Sequence, residues 1–285
     1  MLQQDDYSIA SVELEAVGQD HFEQTRPVYA RALTPRPAAG SLTELGWRVS
    51  VVIAAMNEAE NLPHVFARLP EGLHEVILVD GHSVDDTVAV ARRLRPDVRI
   101  VTQSGRGKGN ALADGFAACA GDIIVALDAD GSTDAAEIPR FVGALCNGAD
   151  FVKGSRFAQG GSSTDITRPR SIGNRALNAV VNALYGTHYT DLCYGYNAFW
   201  ARCLPYMRVD CDGFEVETLI NVRIAKAGLV VHEVPSAEHP RIHGDSNLHA
   251  VRDGYRVLRT IMSERISAAS HRSLLPRIAY RLLAG

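Results

Sequence analysis

Ile123-Ile124-Val125-Ala126-Leu127-Asp128-Ala129-Asp130 is an apolar run that ends on two carboxylates. The five apolar residues read as a buried strand. In extended backbone, residues i and i+2 point to the same side. The spacing therefore predicts that Asp128 and Asp130 face one spot, just past the strand's carboxyl end. Open α/β sheets bind ligands in the crevice at that edge. Two neighbouring carboxylates repel unless a cation lies between them. Oxygen-only ligation selects a hard ion, Mg²⁺ or Mn²⁺, which also takes diphosphate oxygens as ligands. An isolated acidic pair after a strand is more often a solvated loop, so its surroundings carry the reading.

Around this run the chain alternates. Strands are expected at Val49–Ala55, Glu75–Asp80, Val98–Thr102 and Asp122–Asp128. Helices are expected at Glu58–Leu69, Asp85–Leu94, Lys108–Ala120 and Ala135–Cys146. Repeated strand–helix units imply an α/β fold, with a parallel sheet covered on both faces. A fifth strand is read at Phe151–Ser155, then a Gly/Ser/Thr/Arg loop over 158–170 too long for a simple connector. Beyond it come a helix at Ser171–Tyr185, a short strand reached through Asp191–Trp200, a helix at Glu215–Ala227 and a strand at Leu229–Val234. An amphipathic helix, Asn247–Ile266, and a short basic segment complete the reading. Residues 1–46 lack strand signals and read as an extension, helical around Ile9–Val17 and ending in a loop.

Composition bounds the function. The 285 residues are 46% hydrophobic and 22% charged, which is ordinary globular material. A net charge of −4 argues against general nucleic-acid binding and requires any anion site to use local cations. Five scattered cysteines without CxxC spacing read as reduced thiols of a cytoplasmic protein, Cys193 among them as packing. The polar, acidic first residues predict no secretory signal, and no run reaches the length of a membrane span. Membrane contact would then be peripheral, with the basic tail (Arg265, Arg272, Arg277, Arg281) as its candidate, although packing back on the domain is the commoner fate of such a tail.

Three other strand ends face the same crevice. Ala54-Ala55-Met56-Asn57-Glu58 follows the first strand; Asn57 reads either as a helix cap or as part of a nucleotide wall. Asp80 ends the second strand and suits a base or ribose, while Asp85 and Thr87 can simply start a helix. Gly105-Arg106-Gly107-Lys108-Gly109-Asn110 has glycines that let backbone approach a phosphate, with Lys108 near a helix start. It is neither a Walker loop nor a dinucleotide fingerprint. His239 and His243 have helical spacing, but Pro240 between them argues against a shared metal.

Together these elements resemble the GT-A fold glycosyltransferases of family 2, in particular the dolichol- and polyprenyl-phosphate mannosyl- and glucosyltransferases, over roughly Arg48 to Leu248. The family's opening strand with Asn-Glu matches Val49–Glu58. Its V-D-D-G-S-x-D-G-T run matches Val79–Thr87, with Gly81, His82 and Asp86 departing. Its Gly-rich loop matches Gly105–Asn110, its D-x-D matches Asp128 and Asp130, and its G-S-R matches Gly154-Ser155-Arg156. Its E-V-P and R-x-x-G-x-S elements match Glu233-Val234-Pro235 and Arg241, Gly244 and Ser246.

The resemblance implies a nucleotide-diphospho-sugar transferase fold with a mostly parallel central sheet flanked by helices. The catalytic domain would span 47–246, with a nucleotide half (47–132) and an acceptor half (133–246), before a C-terminal helix and basic tail (247–285). It implies a donor site of Ala55, Asn57, Glu58, Asp80, Ser83, Arg106, Lys108, Asp128, Ala129 and Asp130, with Mg²⁺ or Mn²⁺ on Asp128 and Asp130. Arg241 would meet donor or acceptor phosphate. Arg156 and Arg170 match arginines that hold an acceptor phosphate, and Asp191 and Gly195 match a stretch near the acceptor. Ser132, Asn247 and Tyr196-Asn197 depart from the usual Gln, Lys and Phe-Arg, and bear on the acceptor more than on the diphosphate.

The implied reaction is inverting hexose transfer from GDP-mannose or UDP-glucose to a polyprenyl phosphate, whose ionised oxygen needs no base. A soluble enzyme acting on a hydroxyl is the alternative, and it needs a carboxylate base. Asp191, Glu215 and Glu217 are the candidates, although carboxylates that open a helix also suit its dipole. A nucleotidyltransferase shares the architecture and metal logic, but a strong N-terminal Gly/Arg phosphate loop is missing from the sequence. A non-catalytic sugar-nucleotide binder would not need the intact acidic pair.

Overall fold

The computed structural model describes residues 42–245 and 248–282. The helix expected around Ile9–Val17 and the boundary at Ser246-Asn247 lie outside the described residues. In chain order the first half comprises β1 (Val49–Ala55), α1 (Leu62–Phe66), β2 (Glu75–Asp80), α2 (Thr87–Leu94), β3 (Arg99–Thr102), α3 (Gly107–Ala118) and β4 (Ile123–Asp128). The second comprises α4 (Ile138–Cys146), β5 (Phe151–Ser155), β6 (Ser162–Ser163), α5 (Arg168–Tyr185), β7 (Asn197–Trp200), α6 (Leu204–Met207), α7 (Val216–Lys226), β8 (Val231–Pro235), β9 (Ala237–Glu238) and α8 (Ala250–Leu282).

Seven strands form one sheet in the order β3-β2-β1-β4-β7-β5-β8. β1, β2, β3 and β4 are mutually parallel, as is the β5–β8 pair. The runs of β1, β2 and β4 are buried on both faces, as helix-covered parallel strands require, whereas the edge strand β3 is only partly buried. β7 is the exception in the expected mostly parallel sheet and runs antiparallel to β4 and β5. The cause is its approach. A Cβ on Gly195 would lie 3.2 Å from Asp128 Oδ2, so the chain reaches the sheet at β4's carboxyl end. From there it runs back, pairing Asn197 with Ala126 and Trp200 with Ile123. Phe199 of β7 meets Phe116 edge-on at 5.2 Å and stacks on Phe151 at 5.7 Å.

Helix limits differ from expectation for local reasons. Asn57 has a φ of 59° and does not cap a helix, so α1 begins only at Leu62. α5 begins a turn early because the Thr167 hydroxyl accepts from the Arg170 amide and Pro169 suits a first turn. Leu42, assigned to the loop end of the extension, lies in a 3-10 turn and is buried in the core. α8 continues through the segment expected to follow the helix. No helix of the described residues is long and apolar enough to cross a membrane.

α8 is held against α7 by buried Val257 and Ile261 and by charge. Glu264 meets Arg223 at 2.7 Å and Lys226 at 2.6 Å. Burial favours protonation of Glu264, but its bonds to Arg223 and Lys226 outweigh that and hold the carboxyl below its ordinary value of 4.5. A folded-state value below the unfolded one contributes stability above the unfolded value, and this is lost as pH falls through the folded one. Acidification is therefore expected to loosen α8 from α7 before the sheet opens. Amide exchange of residues 250–267, corrected for intrinsic rates, checks this: the pH step should vanish in Glu264→Gln. In the core, Phe199→Ala should cost about 3–5 kcal/mol in urea unfolding, because the neighbouring rings cannot collapse onto the cavity.

Candidate active site

Sheet register aligns the functional edge. Ala55 pairs with Asp80, and Ala54 with Asp128. The carboxyl ends of β1, β2 and β4 therefore open on one crevice, where Asp128 and Asp130 stand partly exposed. Lys108, in the first turn of α3, places Nζ 2.6 Å from Asp128 Oδ1 and 2.7 Å from Glu217 Oε1 of α7. Burial alone would discharge this ammonium. The two carboxylates overcome that and hold its pKa well above the ordinary lysine value.

Asp130 has a different partner. Its Oδ1 accepts the Ser132 amide at 3.0 Å, and its Oδ2 lies 3.5 Å from Arg241 Nη1. Arg241 Nη2 also meets Glu58 Oε1 at 2.5 Å. Burial raises the Glu58 pKa, against the bonds it receives from Asn61 and Arg241. Asn61 donates to Glu58 Oε2 at 2.6 Å and accepts the His243 amide at 2.9 Å. The segment carrying Arg241 is thereby buttoned to the start of α1, and Ile242 packs over Gly131.

Two cavities meet at these groups. The smaller, about 230 Å³, is walled by Ala55, Met56, Glu58, Gly81, Gln103 and Ala129. The larger, about 450 Å³, lies between α5 and α8, with Ile166, Leu177 and Val257 as apolar wall and Arg156, Arg170 and Glu238 as charged wall. Lys108, Asp128, Asp130, Phe214 and Arg241 border both.

Several expected donor residues have other duties. Asn57 donates its amide to Ser83 Oγ at 3.0 Å and accepts the Val84 amide at 2.8 Å, tying two strand-end loops together. Asp80 accepts the Ser83 amide at 3.2 Å and is buried beneath that loop. Arg106 is exposed and borders neither of these two cavities, but it lines an adjoining one that shares Met56, Gly81 and Gln103 with the smaller cavity. The glycines beside Lys108 correct the phosphate-loop reading. A Cβ on Gly107 would lie 2.0 Å from the Asp212 carbonyl oxygen, and one on Gly109 would lie 2.1 Å from that of Cys211. The Gly109 amide donates to Asp212 O at 3.0 Å, so these glycines admit the chain's own backbone.

The acceptor-side residues divide similarly. Asp191 is 0% exposed and borders neither cavity. Its oxygens accept Arg156 Nε at 2.7 Å, Arg156 Nη2 at 2.9 Å and Asn174 Nδ2 at 3.0 Å. That engagement leaves Asp191 enclosed and away from both cavities, where a structural role competes with the expected one as a base. Arg156 also meets Glu238 at 2.9 Å and stacks over Tyr194, 4.9 Å from the ring. Its charge is thus largely compensated, whereas Arg170 has one partly exposed partner, Asp165 at 3.2 Å. Glu215 borders neither cavity, and its buried Oε2 lies 2.4 Å from where a Cβ on Gly213 would be; Glu217 borders the larger cavity. Cys193, expected as packing, is exposed to that cavity.

Phe214, Gln103, Asn174 and Glu238 have no sequence signal of their own. Asn174 belongs to a pattern that was available: Asn174, Asn178 and Asn182 repeat every four residues. In α5 they form a ladder that bonds the Tyr189–Cys193 backbone, with Asn178 donating to Thr190 O at 2.6 Å and Asn182 to Tyr189 O at 2.9 Å.

Residues 50–204 match the family model for glycosyl transferase family 2. The glycosyltransferase AglJ of Haloferax volcanii is 34% identical over 72% of this chain and 68% of its own length. The undecaprenyl-phosphate mannosyltransferase of Micrococcus luteus is 30% identical over 70% of this chain and 87% of its own. The matched part is 50% of a glycosyltransferase of Mycobacterium bovis, and it is 38% of the longer glycosyltransferase AglD of Haloferax volcanii. Among solved structures, glucosyl-3-phosphoglycerate synthase from Mycobacterium tuberculosis, in complex with Mn²⁺, UDP and glucosyl-3-phosphoglycerate, superposes with a TM-score of 0.64 at 25% identity. That likeness covers 80% of this chain and 85% of the synthase.

If Asp191 is a structural anion, its loss strands the buried Arg156 charge. Asp191→Ala should lower unfolding free energy by about 3–5 kcal/mol. A variant that lost turnover with unchanged urea stability would restore Asp191 as a base.

Proposed function

Since this chain belongs to glycosyltransferase family 2, we propose that it transfers a hexose from GDP-mannose or UDP-glucose to a polyprenyl-phosphate acceptor, with inversion. The observation that carries this reading is the meeting of the two cavities at Asp128 and Asp130, the larger one combining an apolar wall with Arg170. The similar undecaprenyl-phosphate enzyme supports the acceptor class.

The donor's nucleoside fits the smaller cavity, beside Ala55, Gly81 and Gln103. Asp128 and Asp130 suit Mg²⁺ or Mn²⁺: both are oxygen donors, and cationic side chains now contact each of them. No cluster of three or more potential metal ligands occurs among the described residues. A shell shared with diphosphate oxygens therefore fits the pair. Once bound, the ion supplies neutralisation of the leaving diphosphate. Lys108 and Arg241 add positive charge beside the same oxygens. Arg170 orients the acceptor phosphate, and the apolar wall takes its lipid chain. Attack by an ionised phosphate oxygen on the anomeric carbon, opposite the diphosphate, inverts the centre and needs no base.

A second reading, a hydroxyl acceptor, draws support from Glu217, which borders the larger cavity with Lys108 at 2.7 Å. There Glu217 takes the proton and Lys108 orients the carboxylate.

A panel of nucleotide sugars with Mg²⁺ or Mn²⁺, repeated with EDTA, tests the donor and the ion; turnover should disappear with the metal. Arg170→Ala should reduce transfer to polyprenyl phosphate by about a hundredfold and leave donor affinity by calorimetry unchanged. Undiminished lipid transfer by that variant overturns the acceptor assignment. Glu217→Gln separates the readings: under the hydroxyl reading it abolishes turnover at unchanged donor affinity.

A further inference from the structure

α8 carries two faces. Val257, Ile261 and Glu264 point into the protein. On the other side, Val251, Tyr255, Leu258 and Met262 follow one another at spacings of four, three and four residues, which places them in one stripe along a helix. They are 89%, 69%, 40% and 45% exposed. Isolated exposed apolar residues need no explanation, but a continuous stripe marks an interaction surface.

The charges beside the stripe are of one sign. Arg252, Arg256, Arg259 and Arg265 are all exposed. The only acidic residues between 250 and 267, Asp253 and Glu264, are buried. Asp253 lies 3.4 Å from Arg252 and 3.8 Å from Arg256, so one carboxylate serves two guanidinium groups and a net positive charge remains. Glu264 is engaged by Arg223 and Lys226. Apolar residues flanked by arginines suit the boundary between anionic headgroups and acyl chains. A second copy of the chain fits worse, because it would bring two cationic flanks together.

The stripe is also next to the larger cavity. Ala250, Gly254 and Val257 of α8 border that cavity, facing Pro169, Arg170 and Leu177 of α5. α5 adds Ile172, 67% exposed and adjacent to the cavity-lining Gly173.

We propose that the outward face of α8 between Val251 and Met262 docks on an anionic lipid surface and holds the opening between α5 and α8 at that surface. Its consequence for acceptor delivery rests on the lipid-phosphate reading above; docking itself does not. A lipid phosphate then reaches Arg170 by sliding from the bilayer with its chain along Leu177 and Val257, without crossing water.

The test is co-sedimentation of the full chain with vesicles of phosphatidylcholine alone or mixed with phosphatidylglycerol. Binding should require the anionic lipid and weaken with salt. Tyr255→Ser/Met262→Ser and Arg252→Gln/Arg259→Gln should each reduce partitioning by more than about tenfold. Both should retain transfer to a short-chain prenyl phosphate dispersed in detergent. Equal binding by the variants, binding to phosphatidylcholine alone, or no binding overturns the proposal. So does a concentration-dependent dimer, seen by sedimentation velocity, that the Tyr255 and Met262 substitutions abolish. Vesicle binding without transfer to any lipid phosphate leaves the docking surface standing and overturns the acceptor reading instead.

Discussion

Two carboxylates two residues apart at the end of a buried strand must be compensated, and the surroundings of Asp128 and Asp130 follow from that need. Lys108 reaches Asp128 from the first turn of α3, and Arg241 reaches Asp130 from the segment after β9. Each cation also serves a carboxylate from another element: Glu217 on α7 for Lys108, and Glu58 before α1 for Arg241. Four distant parts of the chain therefore converge on β4. The space left is small. A Cβ on Gly195 would lie 2.8 Å from Lys108 Nζ and 3.1 Å from Glu217 Oε1, so any larger residue there would have to displace these charged side-chain ends.

The same chemistry separates structural from available charge. Arg156 is enclosed by Asp191 and Glu238 and braced by Tyr194. Breaking such a buried set leaves an uncompensated ion, so it defines the local arrangement more than it recruits a ligand. Lys153 is a related case. It is fully buried in β5, burial lowers its pKa against the pull of Asp191 and Glu233, and its Nζ donates to Tyr194 O at 2.8 Å. Together with the asparagine ladder of α5, these contacts set the path of residues 189–195. Arg170 and Arg241 remain partly exposed at the cavity walls, where a phosphate can add to their existing partners.

Most of the fold was legible because strand burial is written in local composition. The runs of β1, β2 and β4 are largely apolar segments, and the limits of these strands and of β5 agree with expectation to within about one residue. Direction was not legible for β7: Asn-Ala-Phe-Trp pairs equally well either way, and only its entry from the site side selects antiparallel pairing. The glycines at 107 and 109 were correctly singled out but misassigned, since a sequence shows that close approach is permitted and not what approaches.

Charge followed the same division. The positions of Asp128, Asp130, Lys108, Arg156, Arg170 and Arg241 were evident in the sequence, because acidic and basic residues at strand and helix ends stand out from their neighbours. Their pairings belong to the tertiary structure. Asp191 looked like Glu217 in one dimension, yet Arg156 and Asn174 occupy the first, while the second borders the cavity. The outward stripe of α8 shows the limit most directly. Helical spacing identifies every apolar residue on that helix, but only packing against α7 decides which are buried. A helix with two apolar faces can hide one, and the sequence does not say which.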